Sequence, residues 1–131
     1  MTQATTFLMF QGGKAEEALT FYAETVPGTH IVELERFGPG GPGPEGTVLR
    51  GRAVIAGLPV MVHDSFITHA FDFTPSISFW VDCDDEAQID AIAARLLEGG
   101  QALMPLGSYG WSRKFGWVSD RFGISWQLNL Q

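Results

Sequence analysis

The chain runs through one order of apolar and polar residues twice, and such an internal repeat requires each half to build the same supersecondary unit. The first pass opens with a β-prone run, Thr5–Phe10, closed by Gln11-Gly12-Gly13. Ala15, Ala18, Leu19, Tyr22 and Val26 then recur at three- and four-residue steps, with Glu16, Glu17, Thr20 and Glu24 opposite them. That spacing predicts an amphipathic helix over 14–26, ended by Pro27-Gly28. His30–Phe37, Thr47–Ile55 and Leu58–His63 follow as β-type segments separated by glycine-containing breaks. This half reads βαβββ.

After a loop over 68–75 the order restarts. Ser76–Asp82 reads as a strand, and Asp84-Asp85-Glu86 opens a helix in which Asp85 and Gln88 have capping-box spacing. Ile89, Ile92, Ala93 and Leu96 line one face until Gly99-Gly100. Gln101–Met104, Lys114–Ser119 and Ile124–Leu130 supply three more strands. Laid over one another at a constant offset, the helices pair Glu16 with Glu86, Leu19 with Ile89, Tyr22 with Ile92 and Val26 with Leu96. The expected fold class is α+β. A single domain over 1–131 would hold paired βαβββ modules, about 1–65 and about 74–131, as a curved mixed sheet around a central cleft with the helices outside.

Composition narrows the partners. With 131 residues the chain has room for one ordinary domain, and 45% hydrophobic against 18% charged residues is a globular balance. A net charge of -7 is the wrong sign for holding a phosphate backbone, so no nucleic acid is expected. The lone Cys83 excludes an internal disulfide and a cysteine-rich zinc site. No segment approaches the roughly 20 apolar residues of a membrane helix, and MTQATTFLMF is not a secretory leader. A cytoplasmic protein with no membrane partner is expected.

Gly38-Pro39-Gly40-Gly41-Pro42-Gly43 has the spacing of a dinucleotide-binding G-x-G-x-x-G, but that motif works only between a strand and a helix N-terminus. Here prolines interrupt the run and a strand follows, so a mobile hairpin loop or cavity lid is the better reading. Of His30, His63 and His69, only His63, ending a strand, is placed near a cavity. His63-Asp64-Ser65 is no catalytic triad, since sequence neighbours point apart, and there is no G-x-S-x-G elbow. Asp82 and Asp84 flank Cys83 and disfavour its thiolate, so it is read as inert. Tyr109, Trp111, Phe115 and Trp117 crowd one stretch with Arg113 and Lys114 among them, a set able to stack on a flat or anionic ligand.

The strings FLMFQGGKAEEALTFY, SISFWVDCDDEAQIDAI, LLEGGQALMPL and FGWVSDRFGISWQLNL resemble the PhnB-like branch of the vicinal oxygen chelate superfamily. That superfamily includes glyoxalase I, bleomycin and fosfomycin resistance proteins and extradiol dioxygenases, and this branch often carries the label demethylubiquinone methyltransferase-like. The likeness covers nearly the whole chain and implies the paired βαβββ fold and a homodimer. Methyl transfer is not expected, because it calls for a larger α/β domain with a glycine-rich strand-to-helix turn. Metal-dependent members hold their ion with a His or Gln, a Glu, a His and a Glu on the first and last strands of the two modules. By resemblance these positions fall on Thr6 or Phe7, near Met61, on Ser76 and on Gln127. Only Gln127 could be a weak ligand, and His63 and Asp64 lie one or two residues out of place, so no metal and no cofactor are expected.

If Ser76 and Gln127 face the cleft, alternation turns Ser78, Trp80, Ser125 and Asn129 the same way and packs Ile77, Phe79, Val81, Trp126, Leu128 and Leu130 under the helices. The candidate ligand-binding set is therefore Met61, His63, Ser76, Ser78, Trp80, Trp117, Ser125, Gln127 and Asn129. It suits a small polar-aromatic molecule. Two other readings stand beside small-molecule binding: a metal-assisted lyase, transferase or dioxygenase, and an interaction protein using the aromatic patch.

Overall fold

The structure is a computed structural model describing all residues from Met1 to Gln131. Both predicted helices and all eight predicted strands form, in the order β1 (Thr6–Gln11), α1 (Ala15–Thr25), β2 (His30–Arg36), β3 (Val48–Ile55), β4 (Leu58–Ser65), β5 (Ser78–Asp82), α2 (Glu86–Leu96), β6 (Gln101–Gly107), β7 (Lys114–Ser119) and β8 (Ser125–Leu130). They make two mixed four-stranded sheets and an α+β fold, partitioned into the units Met1–Asp72 and Phe73–Gln131. No helix is long and apolar enough to cross a membrane.

In the first unit the strand order is β1-β4-β3-β2, with β1 parallel to β4 and the other pairs antiparallel. Leu8, Phe10, Ala53, Ile55, Val60 and Val62 form the buried side with Ala18, Leu19 and Tyr22 of α1. Asp64 ends this row. Lys14 gives α1 no side-chain cap, and Asp64 takes over that role: its Oδ1 accepts from the Ala15 N–H (2.9 Å) while its Oδ2 accepts from the Val48 N–H (2.8 Å). Glu16 of α1 pairs with Arg36 of β2. A Cβ on Gly51 would stand 2.7 Å from Val62 Cγ2 and 2.8 Å from Leu34 Cδ2, so a side chain there would displace both neighbours. The Gly-Pro run after β2 wraps buried Phe37, whose ring leaves no room for a Cβ at Gly43, and β3 follows it. A dinucleotide loop is thereby excluded on context.

The second unit repeats the pattern as β5-β8-β7-β6, with β5 parallel to β8. Val81, Val118, Trp126, Leu128 and Leu130 are buried with Ile89, Ile92, Ala93 and Leu96 of α2, and Phe79 packs on Trp126 at 5.0 Å between ring centres. Asp85 caps α2 by accepting from Gln88 N–H, and the Gln88 side-chain oxygen accepts from Asp84 N–H, both at 2.8 Å. This is the predicted capping box with its return bond one residue earlier. Asp120 organises the β7–β8 turn. Its Oδ1 accepts from the Phe122 and Ile124 amides, and its Oδ2 from the Trp126 indole at 2.9 Å.

Two boundaries differ from the sequence reading. Strand β5 begins at Ser78, not Ser76, because the amides of Ser76 and Ile77 bond back to Thr74 in a turn. Strand β6 continues through Pro105 to Gly107, not stopping at Met104; it is an edge strand with register shifts, where a missing N–H is tolerated.

Replacing Asp64 by Ala strips two buried amides of their acceptor and should cost about 2–4 kcal/mol in urea unfolding, with Asp64→Asn losing less because one oxygen remains. Cys83 gives a pH signature. Burial foremost, and then the charges of Asp82, Asp84 and Asp85, push its thiol from 9.0 up to about 11. Above pH 9 the unfolded chain releases a proton that the fold retains, so this contribution is intact below 9 and lost as pH rises through about 11. Urea titrations across that range should show stability falling more steeply in the natural chain than in Cys83→Ala; parallel curves would contradict the assignment.

Candidate functional site

Each sheet turns one side to its helix and leaves the other open. On the open side of the second sheet, register brings together Ser78 with Ser125, Trp80 with Gln127 and Asp82 with Asn129, and, from β7, Trp117 with Gln127 and Phe115 with Asn129. Six of the nine predicted residues, Ser78, Trp80, Trp117, Ser125, Gln127 and Asn129, thus share one face. Ser76 does not: it lies in the turn before β5 and bonds to Thr74, which removes it from the sheet. Met61 and His63 lie on the open side of the first sheet, Met61 in register with Phe7 and Arg52. His63 Nδ1 is 2.6 Å from the Leu49 carbonyl oxygen, and its ring lies 6.3 Å from that of Phe7.

The centre of the second face is a hydrogen-bonded chain. The Trp117 indole donates to Ser125 Oγ (2.8 Å), the two serine hydroxyls are 2.6 Å apart, and Gln127 Nε2 donates to Ser78 Oγ (3.2 Å). Ser125 is buried, so its own proton is satisfied only by donating to Ser78. Ser78 then accepts twice and turns its proton outward beside the free Gln127 Oε1. If the Gln127 amide is turned over, Oε1 accepts from Ser78 and Nε2 becomes the outward group. Either way the face presents a hydroxyl or amide group able to meet the polar edge of a ligand.

An aromatic shelf adjoins the chain. Trp80 lies 5.7 Å from Phe115, Phe115 lies 5.3 Å from Trp111, and Trp111 stacks on Tyr109 at 5.5 Å. Trp80 and Trp111 are 52% and 58% exposed, so their ring faces are open to a planar partner. The neighbouring cations do not join them. Alternation points Lys114 to the helix side, where it bonds to Asp90 (2.6 Å) and Glu86 (3.2 Å), which raise its pKa, and Arg113 donates to the Gln131 carbonyl. The anionic-ligand expectation loses its cations.

Asp82 takes the place the sequence reading gave to cations. It accepts from Trp80 Nε1 and from Asn129 Nδ2, both at 3.0 Å, and these donors, Asn129 first, hold its carboxyl below the usual range. The period-two signal that selected Ser78 and Trp80 also reaches Asp82, the last residue of its strand, which the sequence reading used only as a neighbour of Cys83. The other acid in question, Asp64, faces the helix with both oxygens on amides and is not a ligand in waiting. Nowhere do three or more His, Cys, Asp or Glu side chains gather in a group able to hold a metal.

A family model described as 3-demethylubiquinone-9 3-methyltransferase matches residues 2–129. A PhnB protein from Bacillus cereus is 46% identical, covers 99% of this chain and 100% of its own, and superposes with a TM-score of 0.93. A protein from Pseudomonas aeruginosa is 27% identical over 100% of this chain and 98% of its own, with a TM-score of 0.83. The fold alone is shared with the fosfomycin resistance protein of Listeria monocytogenes, solved with Mn(II) and a dihydroxypropylphosphonic acid: 11% identity, 98% and 90% coverage, TM-score 0.65. No curated protein matches the chain. The family match and the end-to-end identity establish that this chain belongs to the PhnB-like family, described as 3-demethylubiquinone-9 3-methyltransferase.

Proposed function

We propose that this protein binds a small planar molecule on the open face of its second sheet, without a resident catalytic metal and without transferring methyl groups. The observation that carries the reading is the Trp117–Ser125–Ser78–Gln127 chain beside exposed Trp80: outward polar groups next to an open ring are the elements of a specific small-molecule site.

The metal implied by the superfamily does not fit these residues. Of the four ligand positions, Phe7 and Met61 are register neighbours with no oxygen or nitrogen donor in their side chains, and Thr6 pairs with Val60 one residue out of that row. Ser76 lies outside its sheet; Ser78, the nearest strand residue, has a hydroxyl already bonded to Ser125, and Gln127 is bonded to Ser78. A methyl donor fares no better. At the strand-to-helix glycine turn of the first unit, Gly12-Gly13, the Ala15 N–H that would face a cofactor is already donated to Asp64.

Exposed Trp111 and Trp80 also favour association, and the partner this reading assigns is a second copy of the chain, in the cytoplasm. Native mass spectrometry of chelator-free protein should show a dimer with no divalent ion; one equivalent of zinc, nickel, manganese or iron per chain would sink the metal-free reading, and a monomer at micromolar concentration the dimer. Screening metabolites and antibiotics by thermal shift identifies the ligand. Against it, Trp80→Ala and Gln127→Ala should each weaken binding by about 1–3 kcal/mol with unchanged unfolding. Undiminished affinity in both would mean that the wrong face has been chosen.

A further inference from the structure

The outer end of this same face has a sign. Asp82 takes both of its donors, Trp80 Nε1 and Asn129 Nδ2, on one oxygen, Oδ1. Asn129 is 4% exposed, and its amide oxygen is buried with no hydrogen-bond partner. Exchanging the two prongs of that amide does not help, because Oδ1 would then oppose the Asp82 carboxylate, acceptor against acceptor. The corner is therefore short of donors, and a buried acceptor without one is a deficit that a ligand can relieve. Trp80, bonded to Asp82 through its indole N–H and 52% exposed, offers an open ring beside it, and an aromatic face attracts positive charge. Lys114 and Arg113, which precede Phe115 in the chain, are engaged elsewhere. Asp84 and Asp85 follow Cys83 directly, so three carboxylates gather at this strand end.

Resting on the binding reading above, we infer that the ligand is a planar cation of the amidinium or guanidinium type, its N–H groups drawn to Asp82 and to the donor-poor Asn129 amide and its plane stacked on Trp80. Such a group matches a carboxylate in two-point geometry and an indole face at the same time.

Benzamidinium, benzamide and benzoate share a shape and carry positive, no and negative charge. Titrated into the intact protein and followed by the indole 1H–15N signal of Trp80, benzamidinium should bind about tenfold more tightly than benzamide, with benzoate weakest. Asp82→Asn, on an exposed side chain, should abolish the difference between benzamidinium and benzamide measured in the same variant. Equal binding of the three, preference for benzoate, or a cation preference that survives in Asp82→Asn would overturn the charge assignment while leaving the binding face standing. If none of the three moves the Trp80 signal at about 10 mM, the binding face itself falls.

Discussion

A buried carboxylate that accepts from N–H groups holds each unit of this protein together. Asp64 ties the first amide of α1 and the first amide of β3 to β4, and Asp120 ties the β7–β8 turn to the indole of Trp126 beneath α2. Hydrogen bonds to an ionised acceptor are worth about 1.5–3 kcal/mol each, so either residue outweighs most single apolar contacts around it. Their geometric consequence is larger. With Asp64 committed to the helix side, a slip of β4 by one residue would bury Met61 and His63 and expose Val60 and Val62, so the phase of the strand is fixed at its end as well as along its length. The open face and its chemistry follow from that phase.

Most of the second face was legible because its alternation is unambiguous. Ile77 aside, the residues assigned to the helix side, Phe79, Val81, Trp126, Leu128 and Leu130, are all apolar, so those between them had to face away. Ile77 and Ser76 failed together for one reason: Thr74 competes for their amides and delays the strand. Alternation gives direction but not where pairing begins. Pro105 misled in the opposite sense, since a proline ends a central strand but not an edge strand.

The electrostatic character of the site was the part sequence adjacency obscured. Arg113 and Lys114 sit among Tyr109, Trp111, Phe115 and Trp117 in the chain, yet period two sends Lys114 through the sheet to Glu86 and Asp90, while Phe115 turns to the open side. In the run Asp82-Cys83-Asp84-Asp85-Glu86, Asp82 drew notice only as a neighbour of Cys83. Its role depends on Asn129, a residue 47 positions away that only the parallel pairing of β5 and β8 brings beside it. Long-range register, not composition, decides which charge a face displays.

The same principle bears on what the units decline to bind. A helix N-terminus is the fold's natural anion site, and both helices here could have supplied one. Each has an acid of its own instead: Asp64 on the Ala15 amide, Asp85 on the Gln88 amide. One amide in the first turn of each helix is thus answered internally. A net charge of -7 therefore does more than maintain solubility. An acid takes a first-turn amide of each helix, and on the second sheet the carboxylate of Asp82 stands beside the exposed ring of Trp80, so the charge of the whole chain and that of this face have the same sign.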